Sequence, residues 1–190
     1  MGASASKAAL SVLEALELLK RRSGFLDAVV LSGGEFLLQE GVWDFVRELR
    51  LMGYMLKLDT NASRPDLLSP LLEGGLLDYV AVDLKAPLGD YGRLCGVSVD
   101  VRAIEETISI LSRADVYVEL RSTVMRPQLS RDELLEMAES ARSLDEYVLQ
   151  RFVPGRTLDP AFEAEPFSQE ELFELRDEIR ERGINCEVRS

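Results

Sequence analysis

At 190 residues the chain has room for one domain with a substantial core, and its 46% hydrophobic and 29% charged residues are those of a folded globular protein. A net charge of −12 argues against nucleic acid, which needs concentrated lysine and arginine. The sequence has no histidine, so Ser-His-Asp, Cys-His and histidine–zinc chemistry are excluded, and its isolated Cys95 and Cys186 indicate neither a zinc site nor a disulfide framework. Such cysteine usage fits a reducing cytoplasm.

The spacing predicts a first helix over Ser6 to Arg21, with Leu13, Leu16 and Leu19 on its apolar side. Glu14 and Glu17 interrupt the apolar stretch, so it is neither a signal peptide nor a membrane span. Met1-Gly2 and Ser6 match the myristoylation pattern formally, and a start sequence or cloning remnant accounts for them more simply. A strand over Leu26–Leu31 ends in Ser32-Gly33-Gly34-Glu35, a turn able to cradle a ligand. A helix carrying Val42, Phe45, Val46 and Leu49 stops at Gly53, and strand Tyr54–Leu58 leads into Asp59-Thr60-Asn61. Ser63 and Pro65 open a helix that Gly74-Gly75 ends, and strand Tyr79–Leu84 runs into Lys85.

A helix with Ile104, Ile108 and Leu111 follows a longer loop. Strand Val116–Val124 precedes Ser130-Arg131-Asp132-Glu133, a capping box in which each end satisfies the other's backbone N–H. Strand Tyr147–Phe152 precedes a second box at Ser168-Gln169-Glu170-Glu171, whose helix ends at Gly183, and Ile184–Val188 is a candidate final strand. Trp43 and the methionines fall in apolar helical patterns and read as packing residues. No linker, repeat or composition shift divides the chain.

Repeated strand–helix units imply an α/β fold with a parallel sheet, and such sheets bind ligands at the carboxyl ends of their strands. Ser32 to Glu35, Asp59 to Asn61, Asp83 and Lys85, Arg121 to Thr123, and Gln150 all fall at or just past predicted strand ends. Five successive strands thus deliver polar groups to one rim.

These segments, in this order, resemble the radical S-adenosylmethionine superfamily, and within it the activating proteins of anaerobic ribonucleoside-triphosphate reductase and pyruvate formate-lyase. The resemblance runs from about Leu10 to the C-terminus and rests on Leu31 to Glu35, Leu58 to Asn61, Asp78 to Pro87, Glu119 to Val124, and Tyr147 to Gln150 through Asp159-Pro160. It implies a partial (β/α) barrel of the TIM-like type, treated as one truncated domain over 1–190 with 1–7 a disordered or non-homologous start. It places Ser32, Gly33, Gly34 and Glu35 at the amino-acid end of S-adenosylmethionine, Glu35 either on its ammonium or as a helix N-terminal carboxylate. Asp59 and Asp83, with Thr60 and Asn61 beside them, face the cofactor region and hold a monovalent cation, or else cap strand ends or pair with Lys85. Lys85 reaches the cofactor's carboxylate or the substrate, or pairs with Asp83. Arg121 clamps a carboxylate or pairs with Glu119, and Gln150 completes the rim.

The family signature Cys-x3-Cys-x2-Cys, whose thiolates hold a [4Fe–4S] cluster, does not occur in this sequence, and Phe36 and Ala62 stand where the family usually has proline and glycine. The resemblance thus implies one of two things. Either this is the C-terminal part of an activating enzyme, lacking the family's first strand and without catalytic residues of its own, or it is a non-catalytic module that binds S-adenosylmethionine, a nucleotide or a protein. A glycyl-radical enzyme is the partner of the first, and an unpaired Leu26–Leu31 edge predicts a dimer or a strand-donating partner.

Overall fold

Apolar runs alternate with capped amphipathic stretches, and strand therefore alternates with helix along the chain. The computed structural model describes residues 10–92, 99–154 and 164–189. Helix α1 (Val12–Arg22) leads into β1 (Ala28–Leu31), a short 3-10 turn (Phe36–Leu38) and α2 (Val42–Leu51), then β2 (Met55–Thr60) and α3 (Pro65–Glu73). β3 (Tyr79–Asp83) is followed by α4 (Val101–Leu111), and β4 (Tyr117–Arg126) by α5 (Arg131–Glu139). β5 (Glu146–Arg151), β6 (Glu165–Pro166), α6 (Gln169–Glu181) and β7 (Cys186–Arg189) complete the order. Cys95 and the Asp159-Pro160 pair lie outside the described residues.

Both expected capping boxes form, at Ser130/Glu133 and Ser168/Glu171. A third, Ser11 with Glu14, caps α1 at Val12 rather than near Ser6. None of the residues of α1 is buried; Leu16 and Leu19 pack partly on the core, whereas Leu13 points to solvent. The helix is tied down where Tyr54 Oη donates to the Leu19 carbonyl at 2.6 Å. Trp43 and Met55 are likewise exposed, and Met55 and Met125 lie on strands, so the expected packing role is filled by Met137 in the core and by Met52 packed partly against it.

The strand order is β1-β2-β3-β4-β5-β7, every neighbouring pair parallel, with β6 antiparallel to the end of β4. Among the described residues the sheet is unclosed, as expected of a partial barrel, with β1 and β7 at its edges. Register sorts the side chains into two faces, because residues opposite one another point the same way. Leu58, Val80, Leu120 and Tyr147 form one buried layer under the helices. Each such side chain contributes about 1.5–3 kcal/mol by leaving water. The other face carries Lys57, Asp59, Tyr79, Asp83, Glu119 and Arg121, and this polar face positions the site.

Candidate functional site

The turn after β1 is open. Gly33 and Gly34 adopt φ of +106° and +58°, conformations that glycine enters without a Cβ penalty, and nothing lies within 4 Å of where a Cβ would sit. Glu35 turns away from this opening. Its carboxylate is buried, accepting from Thr60 Oγ1 at 3.0 Å, the Asn61 N–H at 2.8 Å and the Leu37 N–H at 3.3 Å. It is thus the N-cap of the 3-10 turn as well as a pin joining the end of β1 to the end of β2.

The end of β2 is fixed residue by residue. Thr60 Oγ1 accepts from the Ala62 N–H at 3.2 Å, Asn61 Oδ1 from the Ser63 N–H at 2.9 Å, and Thr107 Oγ1 donates to the Ala62 carbonyl at 2.9 Å. Ala62 has φ of +64°, the left-handed region that glycine usually takes, and it is buried. These three bonds hold it there in spite of its Cβ.

Beyond the strand ends lies a cavity of about 700 Å³, a size suited to a cofactor-like ligand. Of the expected site residues, Asn61, Asp83, Lys85 and Arg121 line it. Ser63, Tyr91, Asp100, Thr123 and Gln128 add polar groups, and Leu84, Ile104, Met125 and Phe152 an apolar wall. Ser32, Gly33, Gly34, Glu35, Asp59, Thr60 and Gln150 stand outside the lining. Thr60 is buried toward Glu35, and exposed Gln150 sits opposite Thr123 on the next strand.

Lys85 is exposed, its backbone N–H donating to Tyr91 Oη at 2.9 Å, and its ammonium makes no ion pair among the described residues. It does not pair with Asp83, because Asp83 is opposite Arg121 in the register and takes two bonds from that guanidinium. Arg121 also reaches Asp59 at 3.4 Å. Burial works to lower the Arg121 pKa, but Asp83 and Asp59 together raise it above the ordinary guanidinium value. Arg121 therefore pairs with these two carboxylates and not with Glu119.

Glu119 is the centre of a second cluster that the sequence did not reveal. Fully buried, it accepts from Arg189 at 2.9 and 3.0 Å and from Tyr79 Oη, with Lys57 Nζ at 3.9 Å. Burial pushes its carboxyl up, but the bonds from Arg189 and Tyr79 and the charge of Lys57 bring it below the usual carboxylate value. Tyr79 moves the other way, its phenol held protonated by burial and by Glu119. The signal was present in the alternation of β2, Met55-Leu56-Lys57-Leu58-Asp59, and of β4, Tyr117-Val118-Glu119-Leu120-Arg121. Parallel strands buried on both faces read as continuous apolar runs, so alternation marks one face as lining a polar interior.

Cys186 belongs to neither cluster. It is buried, and burial pushes its thiol up to about 12, which leaves it inert. Among the described residues no group of three or more carboxylates, cysteines or histidines is placed to hold a metal ion.

The model of the radical SAM superfamily matches residues 4–141. A Methanocaldococcus jannaschii protein named as a glycyl-radical enzyme activating enzyme is 30% identical over 164 residues, which are 84% of this chain and 66% of that protein. The chain thus spans just under two thirds of this relative's length. Among solved structures, a domain of pyruvate-formate lyase-activating enzyme from Bacteroides vulgatus shares 18% identity and a TM-score of 0.69, covering 86% of this chain and 99% of the domain. Streptococcus suis SuiB bound to S-adenosylmethionine shares 11% identity and a TM-score of 0.75, covering 97% of this chain and 44% of SuiB. At these identities both solved structures are matched in fold.

Proposed function

Because this chain belongs to the radical SAM superfamily, we propose that its strand-end cavity is the S-adenosylmethionine side of a glycyl-radical activating enzyme. The observation that carries the reading is a strand-end cavity, lined by Asn61, Ser63 and Gln128, whose Lys85 makes no ion pair among the described residues. Such a cavity suits a zwitterionic nucleoside. The Lys85 ammonium would meet the methionine carboxylate, a charge-assisted bond stronger than a neutral one. Asn61, Ser63 and Gln128 offer hydrogen bonds to the sugar and amino-acid ends, and the wall of Leu84, Ile104, Met125 and Phe152 keeps water from the base. Gly33 and Gly34 let main chain approach the ligand where any other residue would be strained. S-adenosylmethionine, when bound, supplies a sulfonium carbon–sulfur bond as the reactive group.

The residues of this chain do not fit a [4Fe–4S] cluster. A cluster needs several convergent thiolates, and the sequence has two cysteines, of which Cys186 is buried beneath α6 with its thiol held protonated. The part of the activity assigned to these residues is therefore binding and positioning. The partner proposed for the complete enzyme is a glycyl-radical enzyme, of the anaerobic ribonucleotide reductase kind, in the cytoplasm. Among the described residues the outer edge of β1 is unpaired, which supports a dimer or a strand-donating partner there. No described helix is long and apolar enough to cross a membrane.

Titration calorimetry with S-adenosylmethionine tests the reading. We expect saturable heat in the millimolar range, and a loss of about tenfold in affinity for Lys85→Ala, equivalent to one charge-assisted bond. Lys85 is exposed, so the substitution leaves the fold intact. Absence of saturable heat from the wild type at millimolar ligand would remove small-molecule binding as the role of the cavity.

A further inference from the structure

Six charges on the polar face of the sheet form one continuous chain. Asp83 pairs with Arg121, Arg121 with Asp59 at 3.4 Å, Asp59 with Lys57 at 3.9 Å, Lys57 with Glu119 at 3.9 Å, and Glu119 with Arg189 at 2.9 Å. Three carboxylates alternate with three cations, so this row is itself neutral, and the further carboxylate of the face, Glu146, stands opposite Glu119 and not among Asp83, Arg121 and Asp59. The two carboxylates that close the rim share one guanidinium, which donates to Asp83 through Nε and Nη2 and to Asp59 through Nη1. An inorganic cation placed between Asp59 and Asp83 would need surplus negative charge and free oxygen lone pairs. It would instead meet Arg121, which is largely buried, with Lys57 behind it.

We infer that Arg121 is the resident counter-cation of Asp59 and Asp83, so that this rim takes no inorganic monovalent cation. Arg121 is a positioning residue in this role. It fixes the spacing of two strand-end carboxylates, a task that a bound sodium or potassium ion performs only while present. The register supports this, because Asp83 and Arg121 are direct neighbours on β3 and β4, and Asp59 lies on β2 beside them. The inference concerns the protein's own side chains and is tested without S-adenosylmethionine, so it stands or falls separately from the binding reading above.

The test compares thermal unfolding midpoints in potassium, sodium and tetramethylammonium chloride at matched ionic strength. The wild type is expected to give one midpoint in all three salts, and so is Arg121→Lys, which keeps the charge. Arg121→Gln leaves Asp83 without its cation and Asp59 with Lys57 alone, at 3.9 Å. It is expected to gain a saturable midpoint rise with potassium or sodium, about 2–4 °C at roughly five times the dissociation constant. Adding Asp59→Asn should abolish that rise. A cation-selective, saturable rise in the wild type, lost in Asp83→Asn, would overturn the inference. So would a folded Arg121→Gln protein indifferent to the cation. If Arg121→Gln does not fold, the wild-type comparison decides: equal midpoints support the inference and a selective rise overturns it.

Discussion

Glu119→Ala is expected to cost about 3 kcal/mol of folding stability, read as a fall in the urea midpoint at unchanged slope. The carboxylate is fully buried and holds Arg189, Tyr79 and Lys57 at once. Removing one member of a buried charge cluster leaves the others unpaired, at about 3–5 kcal/mol. The lower end applies because Arg189 is half exposed and recovers water when released. Tyr79→Phe removes a single bond to the same carboxylate and should cost about 1 kcal/mol. The loss also depends on pH. The Glu119 pKa is lower in the folded protein than in the unfolded chain. Its stabilisation is therefore complete above the ordinary carboxylate value and disappears as pH falls through the depressed one. The wild type should lose stability more steeply than Glu119→Ala below that ordinary value, and parallel curves would contradict this.

Glu35→Ala is expected to cost about 2–3 kcal/mol and to weaken ligand binding at the neighbouring strand end. Its carboxylate receives bonds from Thr60, Asn61 and Leu37, and the substitution leaves those buried donors without an acceptor. The second effect follows from geometry. Asn61 lines the cavity, while Glu35 does not, so Glu35 acts on a ligand by holding Asn61 in place. Thermal unfolding measures the first effect and S-adenosylmethionine calorimetry on the surviving folded fraction the second. A variant as stable as the wild type would contradict the role given to Glu35 as the pin between β1 and β2.

The strand–helix alternation was legible because each element carries its own local signal. Val29, Val30 and Leu31 mark a strand without reference to anything distant, and Ser130 with Glu133 marks a helix start. The expected edges of β2 to β5 fell within two residues of those observed, β2 running on to Thr60. The family resemblance was legible too, because it rests on short segments in a fixed order. What stayed hidden depended on register. Along one strand, Lys85 is two residues from Asp83 and Arg121 two from Glu119, and the sequence suggests those pairs. Same-face neighbours on one strand are about 7 Å apart, whereas adjacent strands are about 4.8 Å apart, so Arg121 goes to Asp83, its direct neighbour on β3. The long side chains reach further still, Arg121 across β3 to Asp59 and Arg189 across β5 to Glu119, which it follows by 70 residues. The inward turn of Glu35 was hidden for the same reason, since its partners stand on the next strand.

Backbone chemical-shift mapping of the labelled protein during an S-adenosylmethionine titration tests the strand-end site most directly. Shifts concentrated at Gly33, Gly34, Asn61, Ser63, Lys85 and Thr123 are the expected result, because these residues form the open turn and the polar wall of the cavity. Shifts centred on the opposite, amino ends of the strands, around Asp78, Asp115 and Asp145, or no saturable shifts at all, would contradict it.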